Sequence, residues 1–271
     1  MKHKTIKKPC HISGTGIHSG QQITLDISPS TSGKITFYDP NNNTLVASPH
    51  TSAKTHTRAT ILQNKTMTIA TPEHFLSACA GLGITSLDIH IDGTEIPICD
   101  GSSLQFFNIL KESKITPIKS PSLSPIIIQD THEFQLNNGC IIISPAPTSL
   151  FSYYLSYEHP IVGTQTASID LSKDNYVNEI APARTFGFEH EVKDLLNKGL
   201  AKGGSLENAL VIGENNYINT PRFNNECARH KLLDLIGDFW ILNRPIIGHV
   251  IGIKSGHQLN NNAIKELIKI Y

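Results

Sequence analysis

The chain has 271 residues, a length that suits one large folded domain or two small ones. Hydrophobic residues make up 39% of it and charged residues only 17%, which favours a packed core over a disordered or coiled-coil chain. The 23 Lys and Arg residues balance 23 Asp and Glu residues, so a strongly basic nucleic-acid binder is excluded as the default class. We therefore expect no nucleic-acid partner.

The cysteines and the N-terminal segment indicate a cellular compartment. Five cysteines are scattered along the chain without a C-x-x-C pair, which is typical of reduced thiols rather than of a disulfide framework or a zinc ribbon. The lysine-rich segment 1–9 has no apolar run after it, unlike a signal peptide. No segment approaches the roughly 18 consecutive apolar residues of a membrane-spanning helix. We expect a cytoplasmic protein without a transmembrane segment.

The first part of the sequence predicts short strands and two helices. Period-two alternation or a short β-like run marks three strands, at 22–28, 34–38 and 86–91. Thr71 is a suitable N-cap and Pro72 suits the first helical position, so a helix is predicted to begin there. Gly81 and Gly83 are predicted to end it. A second helix is predicted over 103–111.

A linker is predicted to divide the chain into two halves. Residues 119–125 contain two prolines and three serines without helical or strand periodicity. In the second half a long helix is predicted over 224–242, and a short final helix is predicted after Asn260. Both halves mix strands and helices without a βαβ rhythm, which predicts two α+β domains, 1–120 and 121–271.

Three polar side chains share one face of the predicted long helix. His230, Asp234 and Asp238 are spaced by four residues, so they fall within roughly 80° of one another at about 100° per residue. Apolar residues such as Leu233 and Ile236 occupy the opposite side. A His followed by an Asp four residues later can bind one metal ion from one helix face. A solvated face with an ordinary His–Asp pair has the same spacing, so both interpretations stay open.

Glu73 and His74 lie side by side at the start of the predicted Thr71 helix. Adjacent helical residues point about 100° apart, so one can bind a metal ion while the other faces the open coordination position as a general base. A helix N-terminus disfavours a positive imidazolium, and a metal-binding histidine must be neutral. The alternative is an ordinary acidic residue in the first turn of a capped helix.

His257 is a third candidate, in the sequence KSGH at 254–257. It follows a glycine after an apolar run, and a strand end with a flexible glycine is a common place for a catalytic side chain. A lone histidine is, however, more often structural or exposed. The residues alone therefore indicate a two-domain protein that could assemble a metal hydrolase from these three segments.

Two other motifs are incomplete. Residues 190–194 resemble the HExxH zinc motif, but the last position is Asp, which breaks the pattern without excluding a zinc site, since Asp can also bind zinc. Residues 14–20 are one residue off the dinucleotide-binding fingerprint, and the segment that follows predicts a strand rather than a helix.

Seven short motifs are spread over nearly the whole chain. They are GTGIHSG at 14–20, TPEHFLSACAGLGI at 71–84, EIPICDGS at 95–102, ARTFGF at 183–188, GLAKGGS at 199–205, RHKLLDLIGD at 229–238 and KSGH at 254–257. In this order they resemble the bacterial UDP-3-O-acyl-N-acetylglucosamine deacetylases, the zinc amidases that commit the cell to lipid A synthesis. The three chemical candidates all fall inside these motifs.

The resemblance implies an α+β fold of two similar domains, each a β-sheet layer against a helix layer, with the helices packed between the two sheets. The implied activity is zinc-dependent hydrolysis of the N-acetyl group of UDP-3-O-(3-hydroxyacyl)-N-acetylglucosamine, which releases acetate and the free amine. One zinc ion is the implied cofactor, with His74, His230 and Asp234 as its ligands.

The resemblance also implies catalytic roles. Glu73 would take a proton from the attacking water, and Thr185 and Lys231 would stabilise the oxyanion. His257 would protonate the departing nitrogen, and Asp238 would hold its imidazole and raise its pKa. The acid role could instead be shared between Glu73 and His257.

A further set of residues is implied to contact the substrate. Residues 187–211 correspond to a family insert that forms a tunnel for the acyl chain, although ordinary core packing is an equal alternative for each of its leucines. Lys254 would meet a phosphate of the UDP group. The implied substrate contacts are His18, Phe186, Phe188, Leu200, Gly204, Ser205 and Lys254.

Two other functions are weighed against this one. A zinc amidase of the same fold that acts on another N-acylated substrate would need no long apolar tunnel. A non-catalytic binding protein on the same scaffold need not retain Glu73, His257 and the three ligands. We expect a monomer, and the preferred acyl length and the choice of zinc or iron in the cell stay open.

Overall fold

A computed structural model describes residues 2–51, 59–119 and 122–271 of the chain. The described elements of the first half are strands β1 (Lys4–Ile6), β2 (Cys10–Thr15), β3 (Gln22–Pro29), β4 (Ile35–Tyr38), β5 (Thr44–Val46), β6 (Ile61–Gln63), β7 (Thr68–Ala70), β8 (Leu87–Ile91) and β9 (Ile115–Pro117), with helices α1 (Glu73–Leu82) and α2 (Leu104–Glu112).

Five of these strands form one sheet in the order β2-β3-β8-β4-β5. The central strand β8 is antiparallel to β3 and parallel to β4. Alternation in β3 buries Ile23, Leu25 and Ile27 on one face of the sheet. Phe75 of α1 packs edge-on against Phe37 of β4, with 6.4 Å between the ring centroids, so α1 covers this side of the sheet.

The second half is built in the same way. Its described strands are β10 (Ile126–Ile127), β11 (His132–Leu136), β12 (Gly139–Ser144), β13 (Ser149–Ser156), β14 (Thr164–Asp170), β15 (Phe186–Phe188), β16 (Leu210–Ile212) and β17 (Ile246–Ile253), and its helices are α3 (Tyr176–Glu179), α4 (Glu189–Asn197), α5 (Glu226–Trp240) and α6 (His257–Ile270).

The second large sheet has the order β11-β12-β17-β13-β14, with β10 paired to β17. Here too the last strand, β17, lies in the middle, antiparallel to β12 and parallel to β13. Each sheet therefore has two hairpins flanking a late central strand. This shared topology makes the two halves structural repeats of each other.

Helices α1 and α5 lie between the two sheets. Phe239 of α5 packs against Phe151 of β13, with 6.2 Å between the ring centroids. On its other side α5 meets α1 closely, because a Cβ added at Gly237 would lie 2.0 Å from Glu73 O. This layering confirms the predicted α+β class with helices between two sheets. Among the described residues, no helix combines the length and the apolar character needed to cross a membrane.

Some predicted element ends differ from the structure. The long helix begins at Glu226 rather than 224 and ends at Trp240. The last helix begins at His257, before Asn260, because Gly256 precedes it with an extended backbone and serves as its N-cap. The predicted linker 119–125 includes residues 120 and 121, which lie outside the described part of the chain, so the domain boundary stays a prediction.

Candidate active site

Glu73 and His74 occupy the first turn of α1, and both side chains are buried. Thr71 has a left-handed backbone, with φ +57°, which turns the chain sharply into the helix. Its hydroxyl donates to Glu95 Oε1 at 3.4 Å and makes no N-cap bond, so the predicted capping role is wrong. Pro72 is the N-cap residue instead.

Three potential metal ligands converge where α1 meets α5: His74 comes from α1, and His230 and Asp234 come from α5. His74 Nε2 lies 3.6 Å from Asp234 Oδ1, and His230 Nε2 lies 3.4 Å from the same oxygen. The two imidazole rings are nearly perpendicular, at 89°, with 5.0 Å between their centroids. Within the described ranges, these three side chains form the group whose ligand atoms all lie within 4.8 Å of one another.

The surroundings of this cluster fit a bound cation. His230 Nδ1 lies 3.1 Å from the Ala183 carbonyl, which can only accept, so Nδ1 carries the proton and Nε2 keeps its lone pair. Burial lowers the pKa of His230 to about 3, and the ring is therefore neutral, as a ligand must be. Asp234 Oδ1 is buried with no hydrogen-bond partner among the described residues. A divalent cation would supply the partner that this oxygen lacks.

Lys231 neutralises the other oxygen of Asp234. Its Nζ donates to Asp234 Oδ2 at 2.7 Å. Burial opposes the charged amine, but the Asp234 carboxylate raises the pKa of Lys231 above its usual value. A positive charge is therefore held beside the cluster at neutral pH.

Asp238 is the buried anchor of a second group. Its Oδ2 accepts from His257 Nδ1 and from Asn260 Nδ2, each at 2.8 Å. Its Oδ1 accepts from the Thr60 hydroxyl at 2.6 Å. Three donors therefore fix the carboxylate, and the carboxylate fixes the tautomer of His257 with its proton on Nδ1.

The Nε2 edge of His257 faces the potential ligands and Glu73. It lies 3.7 Å from Glu73 Oε1 and 3.8 Å from Asp234 Oδ2. Burial opposes the imidazolium, but the Asp238 and Glu73 carboxylates raise the pKa of His257 to about 9. Burial raises the pKa of Glu73 to about 7, although the charge of His257 acts in the opposite direction. A cationic imidazole and a carboxyl that titrates near neutrality therefore face each other.

The segment 183–186 forms the opposite wall of the site. The buried guanidinium of Arg184 donates from Nε to Glu226 Oε1 at 2.9 Å, which ties this segment to the start of α5. Thr185 N donates to Gly101 O at 2.7 Å. These bonds hold the Thr185 side chain at the edge of the site and keep the Ala183 carbonyl against His230.

A cavity of about 650 Å³ opens beside the cluster. Glu73, Lys231, Thr185 and His257 line it together with the three potential metal ligands. Away from them the wall is largely apolar, with Phe186, Phe188, Val192, Leu195, Leu206 and Ile218. The cavity thus joins a polar end to an apolar passage.

The sequence-predicted substrate contacts fall into two groups. His18, Phe186, Phe188, Gly204 and Ser205 line the cavity. Leu200 and the exposed Lys254 are not part of its described wall, although Leu195 and Ala201 near Leu200 are. Their role in substrate binding stays a prediction.

Sequence reasoning missed Glu95, although it lies in the 95–102 motif. Its buried carboxylate accepts from the backbone N–H of His18 and of Ser19, each at 2.9 Å. A Cβ at Gly16 would lie 2.3 Å from Glu95 Oε2, so the glycine permits this close approach. Glu95 therefore holds the 14–20 loop, which contributes His18 to the cavity.

Thr60 and Asn260 were missed for a different reason. Each contacts Asp238, from 178 and 22 residues away in the sequence, and neither stands in a recognisable motif.

Residues 14–20 connect β2 to β3 in a hairpin and do not open a helix. Residues 190–194 lie on α4, which buries none of its side chains, and His190 and Asp194 do not belong to the three-ligand group.

Comparisons with known proteins agree on one family. The LpxC family model, described as UDP-3-O-acyl N-acetylglycosamine deacetylase, matches residues 3–269. A UDP-3-O-acyl-N-acetylglucosamine deacetylase of Campylobacter hominis is 40% identical over 96% of this chain and 90% of its own length. Proteins of the same name from Syntrophotalea carbinolica and Nautilia profundicola are 37% and 36% identical, over 97% and 99% of this chain and 87% and 92% of their own lengths. The chain therefore belongs to the LpxC family of UDP-3-O-acyl N-acetylglycosamine deacetylases.

Proposed function

We propose that the protein hydrolyses the N-acetyl group of UDP-3-O-(3-hydroxyacyl)-N-acetylglucosamine with one zinc ion, as the committed step of lipid A biosynthesis. The deacetylase activity follows from the family and from the names of its relatives. The observation that carries the zinc proposal is the convergence of His74, His230 and Asp234 beside Glu73 and His257 in one cavity.

His74, His230 and Asp234 are the proposed zinc ligands. Two imidazoles and one carboxylate are a set typical of catalytic zinc, which keeps an open position, rather than of closed thiolate sites. When bound, zinc supplies Lewis-acid polarisation of the acetyl carbonyl and lowers the pKa of water.

The other residues of the site transfer protons or stabilise the negative charge that develops during the reaction. Glu73 accepts a proton from the water molecule while the oxygen of that water bonds to the acetyl carbon. Lys231 and Thr185 face the carbonyl oxygen, where they stabilise the negative charge that develops. His257 gives its Nε2 proton to the nitrogen as the C–N bond breaks, which yields acetate and the free amine. Asp238 keeps that imidazole oriented through Nδ1.

The apolar end of the cavity is the proposed place of the acyl chain. Phe186, Phe188 and Leu206 present an apolar wall there, and burial of each methylene stabilises a bound chain by about 0.8 kcal/mol. The polar end holds the sugar and its N-acetyl group. We propose that the protein works as a cytoplasmic monomer.

Acetate release from UDP-3-O-(3-hydroxymyristoyl)-N-acetylglucosamine by purified protein tests this function. The protein is assayed after metal removal and again with one equivalent of zinc restored. We expect activity to disappear and to return. A His230→Ala variant is the matched control and is expected to stay inactive with zinc. If folded, zinc-loaded protein released no acetate with this or with shorter and longer acyl chains, the lipid A substrate would be wrong.

A further inference from the structure

Thr60 lies where the two halves of the site meet. It is fully buried and comes directly before β6, in the first half of the chain. Its backbone is tied to the start of α1, because Thr60 N donates to Glu73 Oε2 at 3.3 Å and Thr71 N donates to Thr60 O at 3.0 Å. Its side chain reaches in the other direction, toward α5 and α6 of the second half.

The Thr60 hydroxyl has one proton, and the contacts decide where it goes. Asp238 is a buried carboxylate that can only accept, and its Oδ1 lies 2.6 Å from Thr60 Oγ1, at the short end of charge-assisted O–H···O⁻ bonds. Asn261 Nδ2 donates to Thr60 Oγ1 at 3.4 Å. His257 Nδ1, 3.3 Å from Thr60 Oγ1, gives its proton to Asp238 Oδ2 over the shorter distance of 2.8 Å.

We propose that Thr60 is a positioning residue, which sets the placement of the Asp238–His257 pair relative to the base Glu73. The proposal rests on the catalytic roles proposed above for Glu73 and His257. Thr60 bonds to Glu73 through its backbone and to Asp238 through its hydroxyl. It therefore links the proton acceptor of one half to the proton donor of the other.

Loss of the hydroxyl alone has a specific consequence. Asp238 Oδ1 loses its Thr60 donor, so the carboxylate can turn and the bond from Oδ2 to His257 Nδ1 loosens. His257 Nε2 then drifts from its place 3.7 Å from Glu73 Oε1. Thr60 is not in the described wall of the cavity, so substrate contacts are preserved. The step that needs both proton-transfer groups is affected, and binding is not.

Substitutions that change only the hydroxyl test this inference. Thr60→Val replaces it by a methyl group of similar shape, Thr60→Ser retains it, and Thr60→Ala removes it. Thr36→Val, at a buried threonine on β4, is the matched control. Zinc content, melting temperature, kcat and KM are measured for each.

We expect Thr60→Val to keep zinc and to lower kcat by about 10- to 100-fold, as is typical when an outer partner of a site residue is lost. Its KM should stay within about threefold of the wild-type value, because the contacts that bind the substrate are not changed. Thr60→Ser and Thr36→Val should retain most of kcat. If Thr60→Val does not fold, Thr60→Ser and Thr60→Ala provide the comparison, since they differ by one oxygen atom.

Nuclear magnetic resonance of ¹⁵N-histidine-labelled protein measures how fast the Nδ1 proton of His257 exchanges with solvent. This rate would not change if Thr60 only stabilised the fold. The Nδ1–H signal of His257, identified by its loss in His257→Gln, should be slow to exchange in the wild type and in Thr60→Ser. It should exchange faster in Thr60→Val and be unchanged in Thr36→Val.

Wild-type kcat in Thr60→Val with an unchanged Nδ1–H signal would overturn the proposal. A raised KM with unchanged kcat would overturn it as well, because it would place Thr60 in substrate binding. A wild-type protein without deacetylase activity would instead refute the proposed function, and the Nδ1–H comparison would still report whether Thr60 holds the pair.

Discussion

Glu73 and His257 show how burial changes the chemistry of single residues. An exposed carboxyl would be fully ionised and an exposed imidazole mostly neutral at pH 7. Here burial raises the pKa of Glu73 to about 7, and the neighbouring carboxylates, against the effect of burial, raise that of His257 to about 9. A carboxyl with a pKa near 7 and an imidazole that is protonated at pH 7 suit a proton acceptor and a proton donor in the same reaction.

Replacement of the carboxylate tests the role of Glu73. Glu73→Gln keeps the shape of the side chain but removes its basicity, so we expect kcat to fall by about 10²- to 10⁴-fold. Zinc binding should persist, because Glu73 is outside the His74–His230–Asp234 set. Acetate release and zinc content are measured together.

Glu112→Gln, at an exposed glutamate at the end of α2, is the control and should match the wild type. Full activity in Glu73→Gln would exclude Glu73 as the base. Loss of zinc from that variant would place its carboxylate among the ligands.

At the scale of the elements, the contact between α1 and α5 positions the site. Glu73 and His74 come from α1, and His230, Asp234 and Asp238 come from α5. Their relative placement depends on how closely the two helices approach. Gly237 permits that approach, since its missing side chain would point at the backbone of Glu73.

Gly237→Ala should therefore damage both stability and activity. The new Cβ would lie 2.0 Å from Glu73 O and 2.8 Å from Glu73 C, so backbone must move. We expect a loss of about 1–3 kcal/mol in the free energy of unfolding, as for other overpacked cores, together with a reduced kcat. Denaturant unfolding and acetate release measure the two effects.

Gly187→Ala is the stability control, because the Cβ that it adds has no heavy atom within 4 Å apart from residue 187 and its two chain neighbours. Its unfolding midpoint should stay close to that of the wild type. If Gly237→Ala were as stable and active as the wild type, the approach of α1 and α5 would not depend on the missing side chain.

For the whole molecule, the proposed zinc site couples metal binding to folding. Its ligands lie more than 150 residues apart in the sequence, from His74 to His230 and Asp234, and meet only when α1 packs against α5. A cation that binds only the folded state stabilises it by mass action, by about 4 kcal/mol at 1,000 times the Kd.

We therefore expect the melting temperature to fall on metal removal and to rise with added zinc in a concentration-dependent way. Calorimetric scans at several zinc concentrations measure this. His74→Ala should abolish the dependence, because it removes a ligand from the first half. An equal melting temperature with and without zinc in the wild type would argue against a site shared by both halves.

Much of the architecture could be predicted because its signals are local. Alternation along 22–28 and 86–91 reflects the period of two in a strand, and the structure has β3 and β8 there. The four-residue spacing of His230, Asp234 and Asp238 places them on one helix face whatever surrounds the helix. The helix ends were less accurate, because Thr71 turned out to bond to Glu95 rather than to cap α1.

The sequence by itself determined three strands of the first sheet, the two helices that carry the site, the family and the residue types of the site, because those depend on short spacings and on motif order. The resemblance implied helices between two sheets, but the residues alone left open whether the helix face with His230, Asp234 and Asp238 is solvated. Only the tertiary structure decided that these three side chains are buried. It also decided that Thr60 meets Asp238 across 178 residues. The physical reason is that burial and hydrogen bonding between distant segments depend on how the two sheets and their helices pack, and no local pattern in the chain encodes that packing.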